Sequence, residues 1–172
     1  MTMKPPACKF IAIVLIAVCA HNTMARAQND AQKGPNSACR SIKDIKASQL
    51  YGMWQVSFTN PPAGLPGAAT VLLEKHEEFS DSVQGVVTRK LAGPQNAKDG
   101  HAPRAALAGD VEDGFVILDE SSNNTSISGT WNGQLVDGTC GREVNGVWKD
   151  TSASAAADAP EVPFIMKKLS GW

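Results

Sequence analysis

Residues 125–149 read Thr-Ser-Ile-Ser-Gly-Thr-Trp-Asn-Gly-Gln-Leu-Val-Asp-Gly-Thr-Cys-Gly-Arg-Glu-Val-Asn-Gly-Val-Trp-Lys. One pattern occurs here twice: apolar, any residue, glycine, any residue, large apolar, as Ile127-Ser-Gly129-Thr-Trp131 and Val144-Asn-Gly146-Val-Trp148. The same unit recurs as Leu50-Tyr-Gly52-Met-Trp54, Val83-Gln-Gly85-Val-Val87 and Leu107-Ala-Gly109-Asp-Val111. Side chains alternate across a strand, so the first, third and fifth positions of each unit share one face. That face is apolar at its outer positions. The other face carries Gln84, Asp110, Ser128, Thr130 and Asn145. Each unit therefore reads as a half-buried strand. A glycine on the buried face marks a bend or a close backbone approach, the device by which a sheet curls until it closes.

Working outward, eight strands are expected, at 50–59, 69–77, 83–90, 104–111, 115–120, 125–135, 139–149 and 163–169. Residues 60–68 hold three prolines and two glycines and form a loop. Residues 93–103 and 150–162 form two more. Asp113-Gly114 is a hairpin signal between the fourth and fifth strands. The expected fold is all-β: an eight-stranded antiparallel up-and-down barrel. In a meander the connections after odd-numbered strands share one end, so the three long loops frame one mouth.

The chain has 172 residues. Its start reads as an address. Lys4 and Lys9 precede an apolar run over residues 10–20, and Ala25-Arg26-Ala27 offers a small-residue cleavage site, which is the pattern of a secretory signal peptide. The run is too short for a membrane span, so no transmembrane segment is expected. A lipid anchor on Cys19 is the weaker alternative, because Val18 stands where that signal wants a small residue. The organisation expected is a signal peptide at 1–27, an arm with a short helical turn at 28–49 and the barrel at 50–172. Removing Lys4, Lys9 and Arg26 leaves 13 basic residues against 17 acidic, a net charge of −4. No basic patch remains, so a nucleic-acid partner is not expected. Of the four cysteines, Cys39 and Cys140 stay in the mature chain, and in an exported protein such a pair is most simply a disulfide. Cys39 lies just before the first strand and Cys140 at the start of the seventh, and both strands start at the closed end, so the two can meet there.

Strand direction places candidate side chains. Trp54 and Trp131 are expected low in the barrel as core, with Gly52, Gly129 and Gly146 beside them on the buried face. Phe58, Arg89, Thr125, Ile127, Trp148 and Asp150 are expected toward the mouth, as a ligand-binding set. Arg89 and Asp150 read equally well as a solvated rim pair. Catalytic and metal patterns are thin. His76-Glu77-Glu78-Phe79-Ser80 begins like a zinc-protease helix, but Ser80 stands where the second histidine belongs. His101 sits in a loop without evident partners. No catalytic residue, metal or cofactor is expected.

Gly52-Met53-Trp54 at the first strand of an exported meander resembles the Gly-x-Trp signature of the calycin group: lipocalins, avidins and bacterial alkaline-protease inhibitors. Residues 47–56, Ala-Ser-Gln-Leu-Tyr-Gly-Met-Trp-Gln-Val, look most like the opening segment of the inhibitors. Val56 departs from the Asn that avidins favour there. The resemblance implies a small barrel whose open end or N-terminal arm engages a partner. The expected function is non-enzymatic binding of a small, partly apolar or amphipathic ligand at the mouth, in a cavity lined by Phe58, Ile127 and Trp148. The alternative is a protein-binding module, a protease inhibitor in its sharpest form.

Overall fold

The alternation of apolar and polar residues is realised as eight strands in the computed structural model, which describes residues 39–89 and 103–170. They are β1 (Gly52–Phe58), β2 (Ala68–Lys75), β3 (Ser82–Arg89), β4 (Arg104–Glu112), β5 (Phe115–Ser121), β6 (Gly129–Leu135), β7 (Glu143–Asp150) and β8 (Glu161–Ser170). Each pairs antiparallel with its neighbour in sequence, and β8 returns to β1, closing the barrel. Two 3-10 turns, Ile42–Asp44 and Ala47–Gln49, lead into β1, where one short helical turn is expected from the sequence. The signal-peptide reading, Cys19, residues 28–38, most of the loop before β4 and His101 lie outside the described residues.

An eight-stranded barrel is just wide enough for side chains to fill it. Here Trp54, Val56, Val71, Leu73, Val83, Val87, Leu118, Trp131, Val144 and Met166 all point inward and are almost wholly buried. Closure requires strong coiling at particular points. At Gly85 a methyl group would overlap the carbonyl oxygen of Leu72 on the adjacent strand, so only glycine lets β3 pass that close to β2. Gly52 has φ 125°, in the region that favours glycine, and the register between β1 and β8 shifts immediately after it.

The base is closed by β1, β8 and the turns ahead of β1. Trp54 Nε1 donates to the Leu50 carbonyl at 2.7 Å. Lys168 Nζ donates to the Gln49 carbonyl at 2.5 Å and lies 5.7 Å from the Trp54 ring centroid. Cys39 and Cys140 are joined by a disulfide with Cα atoms 4.8 Å apart, tying the chain before β1 to the connection between β6 and β7. That is the pairing expected from the topology.

Several placements differ from the sequence reading, among them the start of β7, at Glu143 instead of 139. Residues 125–128 precede β6 instead of opening it, and Ile127 is 48% exposed. The cause is local: the Asn123 side-chain oxygen accepts the backbone N–H groups of Thr125 and Ser126, both at 2.9 Å, and winds the chain into a turn. With β6 starting at Gly129, Trp131 lies only two residues from the mouth end. It belongs to the upper layer of the barrel, not to the base.

Candidate functional site

The upper barrel is built by five inward positions: Phe58 at the end of β1, Arg89 at the end of β3, Glu120 on β5, Trp131 on β6 and Trp148 on β7. Phe164 on β8 completes the ring of side chains. Phe58 lies 5.6 Å from Trp131 and 6.3 Å from Trp148, centroid to centroid, and Trp131 lies 5.1 Å from Phe164. Such tilted and edge-on aromatic pairs contribute about 0.5–1.5 kcal/mol each beyond their burial.

Arg89 and Glu120 form an ion pair inside this aromatic shell. Arg89 Nη1 donates to Glu120 Oε1 at 2.5 Å and Nη2 to Oε2 at 2.6 Å, a two-pronged geometry that fixes both planes. Their side chains retain 13% and 5% of their exposure. Two indoles complete the carboxylate's shell. Trp131 Nε1 donates to Oε2 at 3.0 Å and Trp148 Nε1 at 3.1 Å. The guanidinium lies 5.6 Å from the Trp131 ring centroid and 5.4 Å from that of Trp148, within cation–π range of both. Arg89 Nε is buried and has no hydrogen-bond partner among the described residues. Gly129 makes room for this arrangement, since a Cβ there would meet Trp148 Nε1 at 2.6 Å.

Glu120 is absent from the sequence-derived set. Its signal was the phase of β5, where Val116 and Leu118 point inward and place Glu120 with them. Phe115 and Ile117, on the other face, are equally apolar yet 50% and 54% exposed, so the pattern of that strand alone leaves its buried side undecided. Arg89 does lie on the inner face, as expected. Its partner is Glu120, not Asp150.

Above Trp148 an open cleft of about 470 Å³ lies between the β1–β2 and β7–β8 loops. Pro62, Gly64 and Leu65 form one wall and Ala155, Ala156 and Pro160 the other, with Trp148 and Val162 at the floor and Asp150 at the side. Of the expected ligand-binding set, Trp148 and Asp150 line this cleft. Phe58 and Arg89 lie in the packed layer with Trp148. Thr125 and Ile127 are exposed on the β5–β6 connection. Among the described residues Ile127 stands apart from Phe58 and Trp148, exposed on the β5–β6 connection while those two pack together inside the barrel.

No protein-family model and no curated protein matches the chain. The site's polar groups are engaged with one another below the cleft, while the cleft itself is walled by small apolar side chains. His76, singled out by its spacing, accepts the backbone N–H groups of Glu78 and Phe79 at Nδ1, 3.2 and 3.3 Å away, and so shapes the β2–β3 turn. Among the described residues no helix is long and apolar enough to cross a membrane.

Proposed function

We propose that this protein is an exported, non-enzymatic β-barrel of calycin type that binds a small, partly apolar ligand in the cleft at its loop-framed mouth. The observation that carries this reading is the cleft itself. Its volume of about 470 Å³ falls in the range of small-molecule sites, and its lining is apolar with few polar groups. A rigid floor under two loops is the usual arrangement for recognition. The closed meander and the Gly52–Trp54 opening support kinship with the calycin group. The Cys39–Cys140 bridge fits an oxidising compartment, and so supports export. Binding is favoured over catalysis because the ionised groups nearest the floor, Arg89 and Glu120, are paired with each other and held by two indoles.

Native mass spectrometry on protein purified from its own compartment tests this. A mass increment that disappears on denaturation, and that Ala156→Trp abolishes by filling the cleft, is the expected result. An increment unaffected by Ala156→Trp would place the ligand elsewhere and overturn the assignment.

A protein partner, with protease inhibition as its sharpest form, is the second reading. The packed upper barrel favours it, since contact is then confined to the rim loops and to the segment ahead of Cys39. That cysteine is fixed at the base, opposite the cleft. Deleting residues 28–38 separates the readings: inhibition lost with ligand binding intact would support the arm as inhibitor.

A further inference from the structure

We propose that the cleft selects a ligand carrying a single positive charge, a protonated amine on an apolar body; this rests on the reading of the cleft as a small-ligand site. Among the described residues, Asp150 is the one ionisable residue lining the cleft. One of its carboxylate oxygens accepts the Ser152 N–H at 2.9 Å, which fixes the group in place, and the other has no partner among the described residues. Lys149, next in the chain, points to the opposite face of β7 and cannot neutralise it.

Pro62, Leu65, Ala156, Pro160 and Val162 offer no hydrogen bonds from their side chains, so a charged ligand end is drawn to Asp150 rather than to these walls. A carboxylate attracts a cation and repels an anion. The cleft walls and the Trp148 floor take up the hydrocarbon portion. An alkyl carboxylate of the same length would place like charges together. A neutral alcohol would leave the Asp150 charge unanswered.

The test is isothermal titration of the full-length mature protein at pH 7 with three probes of equal chain length: n-octylamine, 1-octanol and octanoate. The amine is expected to bind about tenfold more tightly than the alcohol, the size of effect a charge-assisted hydrogen bond gives, with octanoate weakest. Asp150→Asn retains a side-chain oxygen for Ser152 and is expected to equalise amine and alcohol. On the wild-type protein, raising the ionic strength is expected to weaken octylamine binding and leave octanol unchanged. Amide chemical-shift changes at Ala155, Ala156 and the Trp148 indole should locate all bound probes. Equal affinities for amine and alcohol in the wild-type protein, with shifts at those positions, would overturn the charge selectivity and leave the cleft as an apolar site. Failure of all three probes to shift those signals would overturn the small-ligand reading itself.

Discussion

Arg89 and Glu120, 31 residues apart in sequence, meet through two parallel hydrogen bonds inside the barrel and hold the Trp131 and Trp148 indoles by the same carboxylate. A buried ion pair is weak evidence for stability in itself, because desolvation offsets the Coulombic gain. Its consequence here is orientation. The carboxylate fixes the plane of Trp148, and Trp148 is the floor of the cleft.

Removing one partner should be far more damaging than removing both. Glu120→Ala strands the Arg89 charge, at about 3–5 kcal/mol, and in addition takes the acceptor from both indole N–H groups. The Arg89→Met/Glu120→Leu pair removes the charges but leaves two indole N–H groups without an acceptor, at about 1–3 kcal/mol each. It should recover only part of the loss in urea denaturation. A double variant as stable as the wild type would show that the indole bonds contribute little.

The disulfide closes a loop with a sequence separation of 101. In the chain-entropy view, a loop of that size is worth about 4.7 kcal/mol, and often less in practice. Reduction is therefore expected to lower Tm by many degrees, measured by circular dichroism with and without reductant. An unchanged Tm would contradict the bridge's structural role.

Glycines differ in what they permit. Gly85→Ala must push the backbone of β2 away and is expected to cost about 1–3 kcal/mol or more. Gly67→Ala, with open space around the added methyl, should stay within about 0.5 kcal/mol of the wild type. Comparing the two melts isolates barrel coiling from a general intolerance of alanine.

Lys168 carries the pH prediction. Burial, and next the nearby Arg142 charge, hold its pKa below the ordinary lysine value of 10.5. Between the lowered folded pKa and 10.5 the unfolded chain binds more protons, so this group's contribution makes stability rise with pH through that window. Below the window both states are protonated and the penalty on the charged form is constant. The stability of the wild type relative to Lys168→Met should thus improve as pH approaches 10.5. A difference that is flat, or that falls, over that range would refute it.

Much of the architecture was legible because a strand's period is local. The units at Leu50–Trp54, Val83–Val87 and Val144–Trp148 expose their alternation without reference to any neighbour, and chain order then fixes which loops share an end. Ile127 shows where local reading stops. Its unit fits the pattern as well as the others, yet the Asn123 side chain captures the backbone of residues 125 and 126 and turns the segment out of the sheet.

The sequence alone determined the all-β meander, the inward direction of Arg89 and Trp148, and the meeting of Cys39 with Cys140, since each depends on alternation and strand order. Only the tertiary structure decided that Arg89 pairs with Glu120, that Trp131 belongs to the upper layer, and that the mouth is a cleft over a packed interior. The physical reason lies in β5. Both of its faces are apolar, so its buried side is settled by register against β4 and β6, and the partner of a buried charge is settled by which side chains that closure brings within hydrogen-bond reach.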